Sequence, residues 1–282
     1  MRRWATSKAV CGSEPQAPTI LARVRLATWN VNSVVARLPR LVGWLETARP
    51  DVLCLQETKI ADSAFPRAEV EALGYELALH GDGRWNGVAI LSKIGLDDIQ
   101  RGYADEPGFP DPEARALSAT CAGLRVWSVY VPNGRALDNE HYQYKLRWLA
   151  AIQTALGAAR DAGQALAVCG DFNIAPTDAD VWDPTQFIGS THVSTAERDA
   201  LAALVALGLH DVHPRAFKGL PFTYWDYRAG MFHTGKGMRI DLVLLDEAVA
   251  ATVADAYIER DARKGTGPSD HAPVVVDFSW SR

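Results

Sequence analysis

Polar and ionisable side chains recur at the ends of the apolar, strand-like runs of this sequence. Asp270 and His271 directly precede the apolar run 274–276 and follow a glycine-containing stretch at 264–267. Neighbouring side chains of an extended chain point to opposite faces, so Asp270 is badly placed to orient the His271 ring. If His271 is catalytic, a second carboxylate must hold its ring. Asp270 and His271 then each have a separate task.

Asp241 is the best candidate for that second carboxylate. It interrupts the apolar run 239–245. A carboxylate inside a buried strand costs solvation energy unless it is paired or hydrogen-bonded. We expect Asp241 to accept the ring N–H of His271, which would fix the tautomer of the ring and raise its basicity.

Five further polar groups end or follow other apolar runs. They are Asn30, Glu57, Tyr130, Asp171 and Asn173. Each has an ordinary alternative, since Asn and Asp after a strand are common turn formers, a lone Glu is most often solvated, and a lone Tyr can belong to the core. Loops at strand ends also gather such groups into one crevice, so their recurrence favours a common site.

This set of side chains is rich in hard oxygen ligands and poor in thiolates. Carboxylates such as Glu57 and Asp270 suit Mg²⁺ or Mn²⁺ better than zinc. A hard cation, a histidine, carboxylates and amides are the parts needed to hydrolyse a phosphodiester, because they neutralise phosphoryl oxygens, activate water and stabilise developing charge. The sequence has no Walker-A loop and no G-x-S-x-G elbow, which disfavours nucleotide-driven phosphoryl transfer and serine hydrolysis.

The composition is that of an ordinary globular chain with a mildly acidic balance. The 282 residues are 48% hydrophobic and 22% charged, with a formal net charge of −5. This charge argues against a generally basic nucleic-acid binder. It does not exclude nucleic acid as a partner, because local Lys and Arg beside divalent cations can overcome the average.

The cysteines and the apolar runs indicate in which cellular compartment the protein is found. Cys54, Cys121 and Cys169 lie in apolar runs, and no C-x-x-C pair is present, so we expect buried thiols and no zinc site. No apolar run has transmembrane length, and residues 1–18 lack the apolar segment of a secretory signal. We therefore expect a cytoplasmic protein without membrane association.

The elements that must carry these groups alternate irregularly along the chain. Strand patterns occur at 24–31, 52–55, 74–80, 87–91, 117–121, 124–131, 165–169, 239–245, 253–258 and 274–278, and helical spacing at 38–45, 140–159 and 195–207. This order favours an α/β fold with mixed sheets flanked by helices. No low-complexity linker divides the chain, so we predict a flexible leader over 1–22 and a single catalytic domain over 23–282.

Seven motifs follow one another in an order that matches a known family. They are Thr28-Trp29-Asn30-Val31-Asn32, Leu55-Gln56-Glu57-Thr58-Lys59, Tyr130-Val131-Pro132-Asn133-Gly134, Gly170-Asp171-Phe172-Asn173-Ile174-Ala175-Pro176-Thr177-Asp178, Phe222-Thr223-Tyr224-Trp225-Asp226-Tyr227-Arg228, Arg239-Ile240-Asp241 and Ser269-Asp270-His271-Ala272-Pro273. The set closely resembles the exonuclease III family of abasic-site endonucleases, within the DNase I-like endonuclease/exonuclease/phosphatase superfamily. The resemblance spans about 24–278, and its second, fourth and fifth motifs together are specific to the DNA-repair branch.

The resemblance implies a fold and an activity. The fold would be a four-layered α/β sandwich, with two packed mixed β-sheets flanked by helices. The activity would be Mg²⁺-dependent hydrolysis of the phosphodiester 5′ to abasic sites in duplex DNA, as in base excision repair, with Mn²⁺ as an alternative cofactor. We also expect 3′–5′ exonuclease activity and cleaning of 3′ ends by phosphatase or phosphodiesterase action. The expected partner of this monomer is double-stranded DNA with abasic sites or blocked 3′ ends.

The resemblance also implies roles for individual residues. Glu57 would be the main metal ligand, with Asn30, Asp270, Asp171 and Asn173 close to the cation. The catalytic set would be Asp171 on the attacking water, Asn173 and Tyr130 as donors to the scissile phosphate, and His271 paired with Asp241. The substrate-binding set would be Asn133, Tyr224, Trp225, Met238 and Arg228, with Tyr224, Trp225 and Met238 lining the sugar pocket. Candidates for DNA phosphate contacts are Arg84, Arg101, Arg115, Arg135, Lys145, Arg228, Lys236 and Arg239, and the segment 81–87 could lie near the duplex.

Two departures from the family pattern leave part of this expectation open. Asn32 stands where some members have an aspartate, which could weaken a second cation position. Tyr224 and Met238 differ from the side chains most common there, so the balance of endonuclease and exonuclease activity is open.

Two alternative functions remain. One is a different DNase I-like phosphodiesterase or phosphatase with a non-DNA substrate, which the aromatic pair at 224–225 disfavours. The other is a catalytically weak protein that binds damaged DNA. The complete polar set disfavours this second alternative, because binding alone would not require it.

Overall fold

A computed structural model describes residues 21–103 and 113–281. Within these ranges the strands are β1 (Leu21–Asn30), β2 (Val52–Gln56), β3 (Glu76–His80), β4 (Val88–Ser92), β5 (Asp97–Arg101), β6 (Ala116–Cys121), β7 (Leu124–Tyr130), β8 (Leu166–Asp171), β9 (Leu209–Asp211), β10 (Arg215–Ala216), β11 (Asp241–Asp246), β12 (Val253–Ile258) and β13 (Val274–Ser281). The α-helices are α1 (Val34–Ala48), α2 (Arg67–Glu71), α3 (Glu140–Asp161), α4 (Thr195–Val205), α5 (Met231–Thr234) and α6 (Glu247–Ala250).

The strands form two mixed sheets, as predicted. One sheet has the order β10-β12-β13-β1-β2-β4-β3, and the other has the order β5-β6-β7-β8-β11-β9. The pairs β1/β2, β10/β12 and β7/β8 are parallel, and the remaining neighbours are antiparallel. Parallel pairs need long crossovers, and helices α1 and α3 supply those between β1 and β2 and between β7 and β8.

The two sheets pack face to face, and helices cover their outer faces. Strand β1 shows the alternation that this requires, because Leu26 enters the core between the sheets while Trp29 packs in the outer core. Leu41 of α1 joins the same outer core, and Trp148 of α3 packs with Leu204 of α4 on the second sheet. The arrangement is the four-layered α/β sandwich that the sequence predicts.

The predicted leader and domain boundary differ slightly from the structure. Residues 1–20 of the predicted leader lie outside the described ranges. Leu21 and Ala22, also assigned to the leader, pair with Ser281 and Trp280 as the first residues of β1. Strand β1 therefore includes two residues that were assigned to the leader, because the end of β13 provides partners for them.

The interior agrees with the expected thiol chemistry. Cys54, Cys121 and Cys169 are buried and free, and burial raises the pKa of Cys121 to about 12. A buried thiol with a raised pKa is unreactive, so these residues act as small core side chains.

Across the described ranges, none of the helices combines the length and apolar character needed to cross a membrane.

A buried carboxylate ties the first strand to the last. Asp277 of β13 is 1% exposed and lies opposite Arg25 of β1 in the register. Arg25 donates to both carboxylate oxygens at 2.8 and 2.9 Å, and Arg23 donates to Oδ2 at 2.6 Å. Burial opposes ionisation of Asp277, but the two arginines outweigh it and hold its pKa below the ordinary value.

We expect Asp277→Asn to lower the free energy of unfolding at pH 7 by about 2 kcal/mol, since it removes the charge between two arginines that are themselves partly exposed. A carboxylate with a depressed pKa stabilises the fold above its unfolded pKa, and this contribution is lost as the pH falls. The difference between the two proteins should therefore shrink below about pH 4. Urea unfolding at several pH values measures it. Glu71→Gln, in the surface pair with Arg67, is the control and should leave stability unchanged.

Candidate active site

The ends of six strands meet at one edge of the sandwich and surround a cavity. Strands β1, β2, β7 and β8 arrive by their carboxyl ends, whereas β11 and β13 begin there because they run antiparallel to β8 and β1. The cavity has a volume of about 340 Å³ and is lined by Glu57, Tyr130, Asn133, Asp171, Asn173, His192, Tyr224, Arg228, Met238, Ile240, Asp270 and His271. The structure thus brings together most of the residues that the sequence predicted as a single site.

His271 and Asp241 form the hydrogen bond predicted from the sequence. The His271 Nδ1–H donates to Asp241 Oδ2 at 2.8 Å, and both side chains are buried. On the other side of the ring, Nε2 lies 3.8 Å from Asp171 Oδ2. Burial disfavours the imidazolium, but the two carboxylates outweigh it and raise the pKa of His271 to about 10. The ring is therefore positively charged at neutral pH.

The segment 222–225 holds this pair in place. Thr223 is buried, and its hydroxyl oxygen accepts hydrogen bonds from the N–H groups of Ile240 and Asp241, both at 3.1 Å. On its other side, the N–H of Ala272 donates to the Thr223 carbonyl at 2.7 Å. Thr223 is therefore hydrogen-bonded both to the backbone of Asp241 and to the residue that follows His271. These bonds fix the distance between Asp241 and His271.

Asp171 ends strand β8 directly opposite Asp241 in the register. Its Oδ2 accepts from Asn30 Nδ2 and its Oδ1 from the Asn173 N–H, both at 2.9 Å. Burial, together with the charges of Asp241 and Glu57, raises the pKa of Asp171 to about 7 despite the nearby His271. Such a carboxylate is a much stronger base than an exposed aspartate, so it can take a proton from water.

Gly170 allows Asp171 to reach this position. Its φ is +155°, and a Cβ on it would lie 1.9 Å from the carbonyl oxygen of Val129 on the neighbouring strand. The backbones of β7 and β8 approach too closely at this point for any side chain.

Glu57 follows β2 on the opposite side of the cavity. Its Oε1 accepts from Asn30 Nδ2 at 2.9 Å, and its Oε2 pairs with Lys59 Nζ at 2.6 Å. Burial opposes its ionisation, but the Lys59 charge and the Asn30 hydrogen bond outweigh it and lower the pKa of Glu57. The carboxylate is therefore ionised at neutral pH.

Asp270 lies beside this group, and Asn32 links it to Lys59. Asn32 Nδ2 donates to Asp270 Oδ1 at 3.0 Å, and its Oδ1 accepts from Lys59 Nζ at 2.5 Å. Carboxylate oxygens of Glu57, Asp171 and Asp270 all line the one cavity. Carboxylate oxygens are the hard ligands that a divalent cation such as Mg²⁺ prefers.

The two amides predicted near the cation already have hydrogen-bond partners within the site. Asn30 Nδ2 donates to carboxylate oxygens of Glu57 and Asp171, and its Oδ1 accepts from the Asn32 N–H at 3.0 Å. Asn173 donates through Nδ2 to the Val131 carbonyl at 2.9 Å. Asn30 thereby orients the two carboxylates, and the place of both amides near the cation stays a prediction.

Asp171, Asp241 and His271 also form a compact cluster, with one oxygen or nitrogen atom of each within 4.8 Å of the others. This cluster is less suited to a cation than the group around Glu57, because a protonated imidazole has no lone pair to give. Glu57, Asp270 and Asp171, which the sequence predicts near the cation, remain the candidate ligands.

Tyr130 and Asn133 border the cavity where β7 ends. Burial and the charge of Glu57 raise the pKa of Tyr130, so its phenol remains protonated and can donate a hydrogen bond. Arg115 lies over the Tyr130 ring at 4.6 Å. Asn133 Nδ2 donates to Asn173 Oδ1 at 3.3 Å, which places it at the predicted position beside Tyr130.

An apolar wall faces the polar groups of the cavity. Tyr224, Met238 and Ile240 form it, and the Tyr224 ring lies 4.8 Å from the His271 ring. Tyr224 and Met238 exchange backbone hydrogen bonds at 2.9 and 3.0 Å, so the two are held side by side.

The prediction that Trp225 lines this pocket is wrong. Its side chain is 1% exposed and packs edge-on against Phe232 in the core. The extended segment turns consecutive side chains to opposite faces, so Tyr224 faces the cavity and Trp225 cannot.

Two of the predicted phosphate-binding cations are buried structural residues. Lys145 pairs with Glu197 at 2.5 Å, and Arg239 binds Asp180 and Asp211 at 2.6 to 2.9 Å. Neither side chain is accessible to DNA, because both are fully buried.

Other predicted cations do lie at accessible positions. Arg228 is exposed at the cavity rim and pairs with Asp226 at 2.6 Å. Arg84 and Arg135 are exposed and line an adjoining groove together with Trp85. Arg115 belongs to the same lining but is 5% exposed and pairs with Glu113, so it is not an accessible cation. Trp85 is 75% exposed, so the predicted segment 81–87 presents an aromatic ring to solvent beside the cavity.

Sequence reasoning missed two residues of the cavity, His192 and Ile240. Ile240 carries a signal that would have revealed it, because it lies two positions after Met238 and therefore on the same face of an extended segment. His192 lies in the turn before α4, a region without strand pattern, and no local signal in the sequence marks it.

Comparisons with known proteins agree with this geometry. Residues 27–271 match the family described as the Endonuclease/Exonuclease/phosphatase family. An exodeoxyribonuclease III from Haemophilus influenzae is 32% identical over 273 residues, which cover 90% of this chain and 100% of that protein.

Solved structures show the same similarity. A 3′ phosphatase from Neisseria, bound to product DNA hairpin, has a TM-score of 0.86 and 38% identity, covering 91% of this chain and 100% of that one. An AP endonuclease from Archaeoglobus fulgidus has a TM-score of 0.84 and 35% identity, covering 90% and 99%.

We expect Asp241→Asn to lower the pKa of His271 from about 10 to the ordinary value of about 6.5 or below, because burial then acts against a smaller opposing charge. An NMR titration of the histidine ring signals measures this. The exposed His213 is the internal control and should titrate identically in both proteins. An unchanged titration of His271 would show that Asp241 does not hold the charge on the ring.

Proposed function

The chain belongs to the Endonuclease/Exonuclease/phosphatase family as an exonuclease III-type DNA-repair nuclease, and we propose that it incises duplex DNA 5′ to abasic sites. One observation carries this proposal. The cavity sets a charged cluster for a phosphodiester against an apolar wall of Tyr224, Met238 and Ile240. A deoxyribose without its base can rest on such a wall, whereas a full nucleotide would also have to place its base there.

The chemistry follows from the states of the polar groups. The attacking water gives a proton to Asp171, its oxygen bonds to phosphorus, and the bond from phosphorus to the 3′ oxygen breaks. The leaving oxygen takes up a proton from solvent and becomes a 3′-hydroxyl. The charged His271, with Asn173 and Tyr130 as neutral donors, stabilises the negative charge that grows on the phosphoryl oxygens.

Nucleases of this family generally depend on a divalent metal, and we propose Mg²⁺ here, with Mn²⁺ as an alternative. Glu57, Asp270 and Asp171 would hold it, since each directs a carboxylate to the cavity. When bound, the cation supplies positive charge that neutralises the phosphate oxygens. Lys59 keeps Glu57 ionised, so this carboxylate needs no deprotonation to bind metal at neutral pH.

Removal of phosphate from 3′ ends is a second candidate activity of the same cavity. It is favoured by the 38% identity with the 3′ phosphatase from Neisseria. A terminal phosphate needs the same cation, the same activated water and the same donors. The two candidate activities differ in whether the DNA strand continues beyond the phosphate. The apolar wall alone therefore does not distinguish between them.

We propose that a monomer suffices for activity on DNA, because one copy of the chain supplies the carboxylates, the histidine and the amide and phenol donors that the reaction needs. The exposed Arg84 and Arg135 in the groove beside the cavity support a DNA substrate over a small phosphorylated molecule, since an extended polyanion contacts several such charges at once.

The purified protein with Mg²⁺ should nick a duplex that carries a single tetrahydrofuran abasic analogue, because it needs no other component. Denaturing gels measure the rate, with a matched undamaged duplex as the control. Asp171→Ala and His271→Ala should still bind the duplex while losing at least about 10²-fold in cleavage rate, as expected for groups that act in the transition state. Loss of binding together with cleavage would make them substrate-binding residues instead.

A second duplex with a 3′-phosphate at a nick separates the two candidates. Phosphate release from this substrate without incision of the abasic analogue would assign the protein as a 3′-end-processing enzyme. Failure on both substrates, at excess enzyme and metal, would contradict the proposed function.

Glu57→Gln should raise the Mg²⁺ concentration for half-maximal rate at least about tenfold, because it replaces the central anionic ligand by a neutral amide. Excess EDTA should abolish cleavage by the wild-type protein, and added Mg²⁺ should restore it. Glu71→Gln on the surface of α2 is the control and should need the same metal concentration as the wild type. Equal metal requirements for Glu57→Gln and the wild type would contradict the proposed cation position.

A further inference from the structure

We propose that His192 is a positioning residue that sets the direction of the Asn173 amide, so that its amide nitrogen faces the substrate phosphate. The proposal rests on the function proposed above. His192 lies in the turn between the loop after β8 and helix α4, and it lines the cavity.

The hydrogen bonds of Asn173 fix which end of its amide is the donor. Nδ2 donates to the carbonyl of Val131 at 2.9 Å, so Oδ1 is at the other end. His192 Nε2 lies 3.2 Å from that oxygen, and Asn133 Nδ2 lies 3.3 Å from it. With the proton on Nε2, two donors converge on Oδ1, and the second N–H of Nδ2 is left for a phosphate oxygen.

The contacts of His192 allow two tautomers, and the proposal requires one of them. Nε2 lies 3.2 Å from both Asn173 Oδ1 and Asn133 Nδ2, and Nδ1 lies 2.8 Å from the Thr191 hydroxyl. A proton on Nε2 is donated to the Asn173 oxygen and leaves Nδ1 to accept from Thr191, whereas a proton on Nδ1 would leave Nε2 to accept from Asn133. We infer the Nε2–H form, which the proposal needs. Burial and the Lys145 charge lower the pKa of His192 to about 4. The ring is therefore neutral at physiological pH and acts as a fixed donor.

A buried ion pair anchors both partners of this contact. Lys145 and Glu197 are fully buried. Glu197 Oε1 accepts from the backbone N–H of His192 at 3.0 Å, and Lys145 Nζ donates to the backbone carbonyl of Asn173 at 2.6 Å. The N–H of Ala175 also donates to the carbonyl of His192 at 2.8 Å. The distance between the His192 ring and the Asn173 amide is therefore set by rigid parts of the fold.

The backbone of His192 is strained. Its φ is +77°, a region that side chains with a Cβ rarely adopt. Strain of this kind persists where the surroundings fix it, and it is concentrated at functional sites.

The test compares His192→Phe, which keeps a ring of similar size but has no donor, with His192→Gln, whose Nε2 can reach the same oxygen. Single-turnover rates are measured with Mg²⁺ on both the abasic-analogue duplex and the 3′-phosphate duplex. We expect His192→Phe to lower the rate constant about tenfold, less than the 10²–10³ for losing a transition-state donor itself. The enzyme concentration for half-maximal rate should change less than threefold, and His192→Gln should recover most of the rate.

A double-mutant cycle separates positioning from a general structural effect. If His192 acts through the Asn173 amide, His192→Phe should have no further effect in an Asn173→Ala background. Equal, additive losses in both backgrounds would overturn the proposal. His213→Phe, at an exposed histidine on the surface, is the matched control and should keep the wild-type rate.

A measurement independent of activity tests the contact itself. ¹⁵N NMR of histidine-labelled protein should show His192 neutral at pH 7, with its proton on Nε2 and the lone pair on Nδ1. Thr191→Val, which removes the hydroxyl donor, should shift the Nδ1 signal. A proton on Nδ1, or a charged ring, would overturn the proposal even if the protein proved inactive on both DNA substrates.

Discussion

Three carboxylates act on one another at the candidate site, and the surrounding groups compensate their charge. Asp171, Asp241 and Glu57 would repel one another strongly if all were ionised without partners. Asp241 is paired with His271 and Glu57 with Lys59, while Asn30 donates to both Glu57 and Asp171. Asp171 has the least compensation, so burial and the charges of Asp241 and Glu57 raise its pKa.

This charge compensation requires that the backbone segments carrying these groups stay at fixed positions. Short segments from different parts of the chain must stay within hydrogen-bond distance, and buried polar contacts hold them there. Arg239 joins the segment before β11 to Asp180 and Asp211, while Lys145 joins α3 to Glu197 of α4. Breaking a buried pair leaves an uncompensated charge, so these contacts bind the loops more firmly than surface pairs could.

The sequence predicted the sandwich and most of the residues that line the cavity. It did not predict which groups pair with the charged side chains. Strand patterns and their order follow from alternation and apolar runs, and β5 was missed because its residues, Asp97–Arg101, lack that pattern. Lys145 and Arg239 look like accessible cations in the sequence, because their buried acidic partners lie 28 to 59 positions away in the chain. The direction of the Asn30 and Asn173 amides also depends on such distant partners, so it required the structure.

The alternation of side chains along an extended segment was enough to predict the apolar wall. The family motif instead favoured placing both Tyr224 and Trp225 in the pocket. Tyr224 and Trp225 are adjacent in an extended segment, so one of them had to face away from the cavity. The bridge between Tyr224 and Met238 then continues the wall to Ile240, two residues further along the partner segment. The wall is thus built from alternate residues of two neighbouring segments, in the way that one face of a sheet is built. Its shape therefore depends on their register, and a change in that register would move the wall and the Asp241 that follows it together.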